Sequence, residues 1–357
     1  MRVGIRVDAS ERMGMGHLRR CLSLADTLRA RGDCVRIVTR SLGLDSIALI
    51  AEQKFENVHL LSEADGKTVS DPAIPHAAWA EVPQRQDIDE TVAALAEFSP
   101  DFVIVDSYSF DARWHLGVRQ RLQSGIVQID DVADRRIAPD LLIDHNYATD
   151  HKRKYLGSVA DEVKILGGPR YALLGPRFAL APRYEFSRRV RSVGIFMGGV
   201  DAGGHSATVL AALRDTGFAG AIEIVTTGAN PHLQELIAVA DADSSVTLSI
   251  NLTDLADFFA RHDLQVGAGG GATWERCCIG VPTLLVVVAC NQRAVAPGLA
   301  EQGVVALADA PDRITLGNAL EELIQDADTR HDLAQRARQL VDGRGAARVV
   351  EEMRCFA

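Results

Sequence analysis

Short apolar segments alternate with amphipathic helical segments along most of this chain. In the first half these segments are largely hydrophobic throughout and do not alternate apolar with polar residues. They are Val35–Val38, Val58–Leu61, Phe102–Val105, Ile126–Ile129 and Leu141–Ile143. Strands of this kind are covered on both faces, as in a parallel sheet between helices. The sequence therefore predicts an α/β fold whose ligands bind at the carboxyl ends of the strands.

Helical segments are predicted between these strands, and the alternation restarts in the second half. The first helices are Leu18–Ala30, Ile88–Ala96 and Ala112–Leu122. The second set of strands is Ser192–Met197, Ile222–Val225, Val246–Leu248, Leu264–Val266 and Thr283–Val288. A helical pattern over Arg330–Arg354 ends the chain, and Gly66–Arg85 is predicted to be a long surface connection. Two similar α/β halves follow from this pattern.

The length of 357 residues favours two domains of ordinary size. The alternation of strands and helices is interrupted between the two halves by Pro169, Pro176 and Pro182 and by a basic cluster at 188–191. We therefore expect a Rossmann-like domain over residues 1–168, a linker over 169–191 and a second Rossmann-like domain over 192–357. Their parallel sheets are expected to face each other across a cleft.

Composition excludes several classes of protein. The formal net charge is −10, from 38 basic and 48 acidic residues, so no diffuse basic surface exists to hold nucleic acid. The chain begins without the pattern of a secretory signal, and its longest apolar run, near Thr283–Ala289, is too short to cross a bilayer. We expect a cytoplasmic protein with no stable membrane insertion and no nucleic-acid partner.

The six cysteines show neither a C-x-x-C pair nor a Cys–His cluster at zinc-site spacing. In a reducing compartment they are most simply small buried hydrophobic residues. We therefore expect no metal site and no cofactor.

The junction after the first strand carries polar and flexible residues together. Gly14 and Gly16 open a path to backbone N–H groups at a helix start, which suits a phosphate or a sugar. His17 follows directly, and histidine can take a proton from water or a hydroxyl near neutral pH. Alternatively, the histidine only caps the helix. The third glycine of a dinucleotide fingerprint would fall on Arg19, so NAD or FAD is disfavoured.

The second half has two glycine-rich strand ends. One contains Gly199, where turn flexibility is a sufficient explanation. In the other, Gly269–Gly271 precedes a helix, and its N–H groups can approach a diphosphate. Glu275 is positioned either to accept hydrogen bonds from ribose or to cap the helix. Asn291 and Gln292 supply amides able to bind sugar groups, with a plain turn as the alternative.

Six motifs in register resemble one enzyme family. They are Asp8, Gly14–Ala25, Val105–Tyr108, Asp130–Arg135, Gly168–Leu174 and the segment 267–292. In this order, over most of the chain, they are similar to the UDP-sugar hydrolases of pseudaminic acid biosynthesis. That family is in turn similar to the lipid II N-acetylglucosaminyltransferase and has the two-domain GT-B glycosyltransferase architecture.

The resemblance implies hydrolysis of UDP-2,4-diacetamido-2,4,6-trideoxy-β-L-altropyranose to UDP and the free sugar, with inversion at the anomeric carbon. His17 would be the general base that activates water, the nucleophile. UDP would leave toward the second domain, which would bind it. The sequence shows no clear Asp-x-Asp motif of the kind that holds a divalent ion on a nucleotide sugar, so the resemblance implies metal-independent catalysis.

The resemblance also suggests further site residues. Asp8 is expected to orient His17 or to cap its loop, while Tyr108 and Asn291 are expected to contact the sugar. The expected substrate-binding or UDP-binding residues are Gly14, Gly16, Arg20, Gly199, Gly270, Gly271, Thr273, Glu275 and Gln292. The sequence Gly-Gly-Gly-Ala at 269–272 departs from the common Gly-Gly-Ser, which leaves Thr273 to supply the hydroxyl.

Three other functions stay open at this stage. A GT-B glycosyltransferase would pass the sugar from the same UDP-sugar donor to an acceptor. A hydrolase of an isomeric UDP-diacetamido sugar would differ only in the shape of its sugar pocket. A protein that only binds the nucleotide sugar would not require His17 at the helix start.

Overall fold

The computed structural model describes residues 1–10, 12–43, 46–61 and 70–356, apart from the side chains of Cys290 and Asn291. The chain divides into two compact units. The first is Met1–Pro176 together with Arg344–Ala357, and the second is Arg177–Gly343. Each unit is built on a parallel sheet, which confirms the predicted fold class of two parallel-sheet α/β units.

The sheet of the first unit contains β1 to β8. These are Arg2–Val7, Ala9–Ser10, Cys34–Leu42, Glu56–Leu60, Phe102–Asp106, Gly125–Ile129, Leu141–Asp144 and Lys164–Gly167. Its strand order is β2-β3-β1-β5-β6-β7-β8, with β4 also paired to β3, and the strand pairs are parallel. The chain therefore leaves β1 toward one side of the sheet and returns to β5 on the other.

The second unit contains β9 to β14. These are Ser192–Phe196, Ala221–Thr226, Val246–Ile250, Leu264–Ala268, Thr283–Val286 and Ala306–Ala308. Their order is β11-β10-β9-β12-β13-β14, again parallel throughout. Here β9 and β12 are the neighbours at which the strand order reverses.

The described helices are α1 to α14, with three short 3₁₀ helices. The α-helices are Gly16–Ala30, Ser46–Glu52, Gln84–Leu95, Ala112–Leu122, His151–Lys154, Pro176–Leu180, His205–Asp215, Leu233–Ala242, Ala256–Ala260, Gly271–Ile279, Ala296–Glu301, Arg313–Gln325, Ala327–Leu340 and Gly345–Arg354. The 3₁₀ helices are Ala77–Ala80, Pro169–Tyr171 and Cys290–Ala294. The predicted surface connection Gly66–Arg85 therefore includes helical structure, and its residues 66–69 lie outside the described residues.

Strand β5 shows why the sequence contains short, continuous apolar segments in the first unit. Phe102 and Ile104 pack into one hydrophobic core with α1, whereas Val103 and Val105 pack into a second core with α3 and α4. Successive side chains of a strand point to opposite faces. The four residues Phe102–Val105 are therefore all apolar, because each one faces a core.

The last helix belongs to the first unit. Val349, Val350 and Met353 of α14 are buried in the core that contains α1. The prediction of one helical segment over Arg330–Arg354 is wrong, because α13 ends at Leu340 and Gly343 adopts a φ of +78° before α14 begins. The boundaries of the compact units therefore differ from those of the predicted domains, because the prediction placed residues 192–357 in the second domain.

We expect Met353→Ala to lower the free energy of unfolding by about 2 to 5 kcal/mol, because it leaves a cavity in this core. Urea unfolding followed by circular dichroism measures the change. Cys355→Ala is the matched control, since Cys355 is exposed beside the same helix. Its effect should stay within about 0.5 kcal/mol. Equal effects of the two substitutions would contradict the assignment of α14 to the core.

Candidate functional site

Polar side chains collect at the carboxyl ends of four adjacent strands of the first unit. Strand β5 ends at Asp106, β6 is followed by Asp131, and β7 is followed by His145 and Asn146. Helix α1 begins after β1 and brings His17 to the same edge. Strands β1 and β5 lie where the strand order reverses, which is the usual ligand position in an open α/β sheet.

His17 is held by Asp106. Its Nδ1 lies 2.6 Å from Oδ1 of Asp106, and both residues are buried. Because an ionised carboxylate only accepts hydrogen bonds, the proton must be on Nδ1. Among the described residues Nε2 of His17 has no hydrogen-bond partner, which leaves its lone pair available. This arrangement presents a proton acceptor in a fixed orientation.

Arg20 lies one turn after His17 and binds the same carboxylate. Its Nε donates to Oδ2 of Asp106 at 2.5 Å, and its Nη2 donates to Oδ1 at 2.7 Å. Its Nη1 donates to Oδ2 of Asp131 at 3.1 Å. The predicted ligand-binding residue Arg20 therefore connects two carboxylates of the site. Sequence reasoning missed the role of Asp106, although the residue stands in the Val105–Tyr108 motif.

Asp131 accepts hydrogen bonds from three directions. The hydroxyl of Tyr108 donates to its Oδ1, and Nδ2 of Asn146 donates to its Oδ2 at 3.0 Å, beside Arg20. The ring of Tyr108 also packs edge-on against the ring of His17, with centroids 4.8 Å apart. The structure therefore places the predicted residue Tyr108 in contact with His17.

Charge and burial set the protonation states of this cluster. Burial alone would raise the pKa of Asp106, but the charge of Arg20 and the hydrogen bonds from Arg20 and His17 outweigh it and hold that pKa well below its ordinary value. Burial also opposes the ionisation of Asp131, and again Arg20 prevails and lowers the pKa. Burial lowers the pKa of His145 to about 4, with Arg20 acting in the same direction. At neutral pH the two carboxylates are ionised and His145 is neutral.

A group of aromatic rings extends from His17. The Tyr108 ring lies 5.7 Å from the ring of His76 and 5.9 Å from that of Trp79. His76 and Trp79 themselves are 4.5 Å apart. Both belong to the segment that the sequence predicts to be a plain surface connection. We name His17, His76, Trp79 and Tyr108 the aromatic group.

Asp8 does not contact His17 in the described part of the chain. Its Oδ1 accepts from Nη1 of Arg6 at 2.5 Å and from the backbone N–H of Arg40 at 2.6 Å. Asp8 therefore ties β1 to β3, and the expected orientation of His17 by Asp8 is corrected to one by Asp106. Both aspartates follow apolar strands, so the sequence alone does not distinguish them.

The predicted glycines around α1 behave differently from one another. Gly14 adopts a φ of +71°, which favours glycine, and its N–H donates to the carbonyl of Ser10 at 2.7 Å. Gly16 opens α1 and is exposed. A Cβ at either position would meet no atom within 4 Å. The space beside the start of α1 is therefore open.

In the second unit, the two predicted glycine-rich turns lie on neighbouring strands. Gly199 follows β9 and Gly270 follows β12, at the point where the strand order reverses. Gly270 adopts a φ of +114° and a ψ of −160°, a region open only to glycine. A Cβ at Gly270 or Gly271 would meet nothing within 4 Å. The N-terminus of α10 is therefore open to an anion.

Other predicted residues of this unit have partners within the protein. A Cβ at Gly199 would lie 3.0 Å from Cγ2 of Thr227, so packing contributes to the choice of glycine there. The side chain of Thr273 is buried and accepts from Nη2 of Arg276 at 3.3 Å. Gln292 donates from Nε2 to the carbonyl of Gly269 at 3.1 Å and accepts at Oε1 from the N–H of Val288 at 2.9 Å. Its amide thus shapes the turn, and its expected contact with a ligand stays a prediction.

Two predicted residues remain. Glu275 is half-buried on α10, one turn beyond Gly271. Asn291 lies in the 3₁₀ helix Cys290–Ala294, and its side chain falls outside the described residues, so its contact with a sugar stays a prediction.

Over the described ranges, no cluster of three or more His, Cys, Asp or Glu side chains has the arrangement of a metal site. Within the same ranges, no helix has the length and apolar character needed to cross a membrane.

Comparison with known proteins finds a relative by sequence and several solved structures of similar fold. The spore coat polysaccharide biosynthesis protein SpsG of Bacillus subtilis (strain 168) is 24% identical over 360 residues, which cover 98% of this chain and 96% of SpsG. MurG of Acinetobacter baumannii is 16% identical with a TM-score of 0.68, and the match covers 99% of both chains. The chain has the GT-B fold.

A third relative was solved with its ligand. The UDP-GlcNAc 2-epimerase from Neisseria meningitidis, bound to UDP-GlcNAc, has a TM-score of 0.66 at 13% identity and covers 99% of both chains. No model of a known protein family matches this chain. The similarity to these structures establishes the fold alone.

We expect Asp106→Asn to destabilise the protein by about 3 kcal/mol or more at neutral pH, because it leaves Arg20 without its main partner. The folded pKa of Asp106 is lowered, so its contribution is complete above the ordinary carboxyl pKa of about 3.9. It is lost as the pH falls from there through the lower folded pKa. The difference in free energy of unfolding between the unmodified protein and Asp106→Asn should therefore become smaller below about pH 4. Urea unfolding at a series of pH values measures it.

Asp26→Asn is the control, since Asp26 lies on the outer side of α1 and pairs with Arg29. Asp26→Asn should change the free energy of unfolding only slightly, and that change should not become smaller below about pH 4. An Asp106→Asn difference that stays constant from pH 7 to acid would contradict an ionised Asp106.

Proposed function

We propose that this protein is a UDP-sugar hydrolase. Its substrate is UDP-2,4-diacetamido-2,4,6-trideoxy-β-L-altropyranose, and its products are UDP and the free sugar of inverted anomeric configuration. The reaction belongs to pseudaminic acid biosynthesis. The first unit supplies the base and the second binds UDP.

The observation that carries the proposal is the pair formed by His17 and Asp106. A histidine whose Nδ1–H is fixed by a buried carboxylate, and whose Nε2 is free, is suited to take a proton from a nucleophile. A protein that only binds a nucleotide sugar has no use for such a pair. The pair therefore supports transfer of the sugar to an O–H nucleophile, and water is the nucleophile that we propose.

UDP is supported by the open start of α10 and by the similar structures. The positive end of a helix dipole and the free N–H groups of Gly270 and Gly271 complement a diphosphate. Among proteins of the same fold, one was solved with UDP-GlcNAc and another with UDP. The relative SpsG is named for spore coat polysaccharide biosynthesis, which supports a role in supplying sugars for surface glycans.

In the proposed reaction, Nε2 of His17 removes a proton from a water molecule as the water oxygen attacks the anomeric carbon. The bond between that carbon and the diphosphate oxygen breaks, and UDP departs with the bonding electrons. Attack opposite the leaving group inverts the anomeric centre. Asp106 stabilises the imidazolium formed on His17, because its carboxylate is already ionised and hydrogen-bonded to Nδ1.

The aromatic group gives a reason for choosing this class of sugar. The substrate carries a methyl group at C6 and a methyl group on each acetamido substituent. The ring faces of His76, Trp79 and Tyr108 offer apolar surface beside His17, on which such methyl groups pack favourably. Burial and the charge of Asp131 raise the pKa of Tyr108, so its hydroxyl stays protonated.

We expect His17→Ala to lower kcat by about 10²- to 10⁴-fold and to leave UDP affinity unchanged, because it removes the base and no diphosphate contact. A phosphorus and proton NMR time course with the proposed substrate, in the presence of chelator, measures the release of UDP and free sugar. Asp26→Asn, on the outer side of the same helix, serves as the control and should retain full turnover.

An intact substrate after incubation with the unmodified protein would overturn hydrolysis of this compound. Turnover that appears only when a hydroxyl acceptor is added would instead favour a glycosyltransferase. Cleavage of an isomeric UDP-diacetamido sugar would keep the reaction class and change the substrate.

We expect Asp106→Asn to lower kcat while preserving UDP affinity, because the amide no longer fixes the proton on Nδ1 of His17. Asp106 acts through His17. The double variant with His17→Ala should therefore be no slower than His17→Ala alone, so the two effects are not additive. Multiplication of the two losses in steady-state kinetics would show that Asp106 acts independently of His17.

A further inference from the structure

Arg276 is a cation buried beneath the glycine-rich turn of the second unit. It lies on α10, and no part of it is exposed to solvent. Its Nη2 donates to the carbonyl of Ala268 at 2.9 Å and to Oγ1 of Thr273 at 3.3 Å. Its Nε and Nη1 have no hydrogen-bond partner among the described residues. Most of the hydrogen-bonding capacity of this guanidinium is therefore unused.

The other buried arginines are better satisfied. Arg6, Arg40 and Arg135 each pair with at least one aspartate. Arg330 has no carboxylate partner within the described residues, but it donates to the carbonyls of Leu323, Ile324 and Arg188. Arg276 has neither a carboxylate nor such a set of carbonyls. An unpaired buried charge is costly unless something compensates for it.

The charge of Arg276 persists despite burial. Burial lowers the pKa of Arg276 to about 10, which leaves the guanidinium protonated at neutral pH. The ring of Phe259, 5.9 Å from the guanidinium carbon, gives only weak compensation. The charge of Glu275 also acts to raise this pKa, but burial outweighs it, so the second unit maintains an incompletely compensated positive charge in its interior.

This charge lies at the same turn as the start of α10. A Cβ at Gly267 would clash with Nη1 of Arg276, so the guanidinium presses against the end of β12. Its bonds to Ala268 and Thr273 span the turn that contains Gly270 and Gly271. The buried cation and the positive end of the helix dipole therefore act on one location.

We infer that Arg276 is a positioning residue whose buried charge compensates the diphosphate of the bound nucleotide, acting through the glycine-rich turn without touching the ligand. The inference rests on the proposed function. In the protein interior charges interact more strongly than in water, so a cation beneath the turn attracts an anion above it. Arg276 thereby contributes to binding in proportion to the charge of the ligand.

A purely structural role for Arg276 leads to a different expectation. If the side chain only ties Ala268 to Thr273, its removal would disturb the turn and weaken every ligand of the second unit alike. If the charge of Arg276 matters, its removal would weaken the binding of the diphosphate more than the binding of the monophosphate. The binding of the uncharged nucleoside would not change. A ligand series separates these two cases.

The test is calorimetric titration of the full-length protein with UDP, UMP and uridine. For Arg276→Met we expect UDP to bind about tenfold more weakly, UMP less so, and uridine within about twofold of the unmodified protein. Arg276→Lys keeps the charge and should retain most of the UDP affinity. Arg330→Met is the matched control, because Arg330 is also buried in this unit without a carboxylate. It should leave the ratio of UDP to uridine affinity unchanged.

The remaining outcomes are distinct. Three results would each overturn the role of the charge. Arg276→Met could lose affinity for UDP and for uridine by the same factor, or Arg276→Lys could bind UDP as weakly as Arg276→Met does. In the third, Arg330→Met would change the ratio of UDP to uridine affinity as much as Arg276→Met does. Normal UDP binding by Arg276→Met would overturn this inference and leave the proposed function standing. Absence of UDP binding by the unmodified protein would overturn both.

Discussion

The buried carboxylate of Asp106 organises the candidate site of the first unit. It accepts hydrogen bonds from His17 and Arg20, and the thiol of Cys21 lies 3.6 Å from its Oδ2. These three partners come from the first turns of α1, whereas Asp106 ends β5. Because β1 and β5 are neighbours at the point where strand order reverses, one carboxylate joins the start of α1 to the adjacent strand. The orientation of His17 and the position of Arg20 both depend on that junction.

The sequence predicts the fold well because the folding signal is local. Strand β5 is apolar from Phe102 to Val105, since cores lie on both of its faces, and such a pattern is visible within a few residues. Strands β2 and β14 escape the prediction because they have only two and three residues, and β8 escapes it because only Ile165 and Leu166 of its four residues are apolar. The end of the chain is misassigned for another reason. Only packing in space reveals that α14 joins α1, because the pattern records an apolar face without identifying what covers it.

The site was predicted in part for similar reasons. His17 and the glycines of 269–271 are recognisable because each lies at a helix start that glycines open after a strand. The carboxylate that pairs with His17 cannot be recognised in the sequence, because Asp8 and Asp106 both come at the ends of apolar strands. Only the order of the strands in the sheet decides between them. Gln292 looks like a ligand-binding amide in the sequence, yet both of its polar atoms bind the backbone of the turn. Arg276 gave no signal, because a cation in the second turn of a helix is ordinarily exposed.

The return of the chain to the first unit makes the second unit a continuous insertion within it. The two points at which the chain enters and leaves the insertion are adjacent, because a Cβ at Gly343 would lie only 3.0 Å from Cα of Ala179. Domains whose ends lie close together tolerate excision and transfer. Residues 177–343 thus form a cassette with paired ends. Exchange of this cassette between related chains would replace the glycine-rich turn at Gly270 as one piece while preserving the residues around His17.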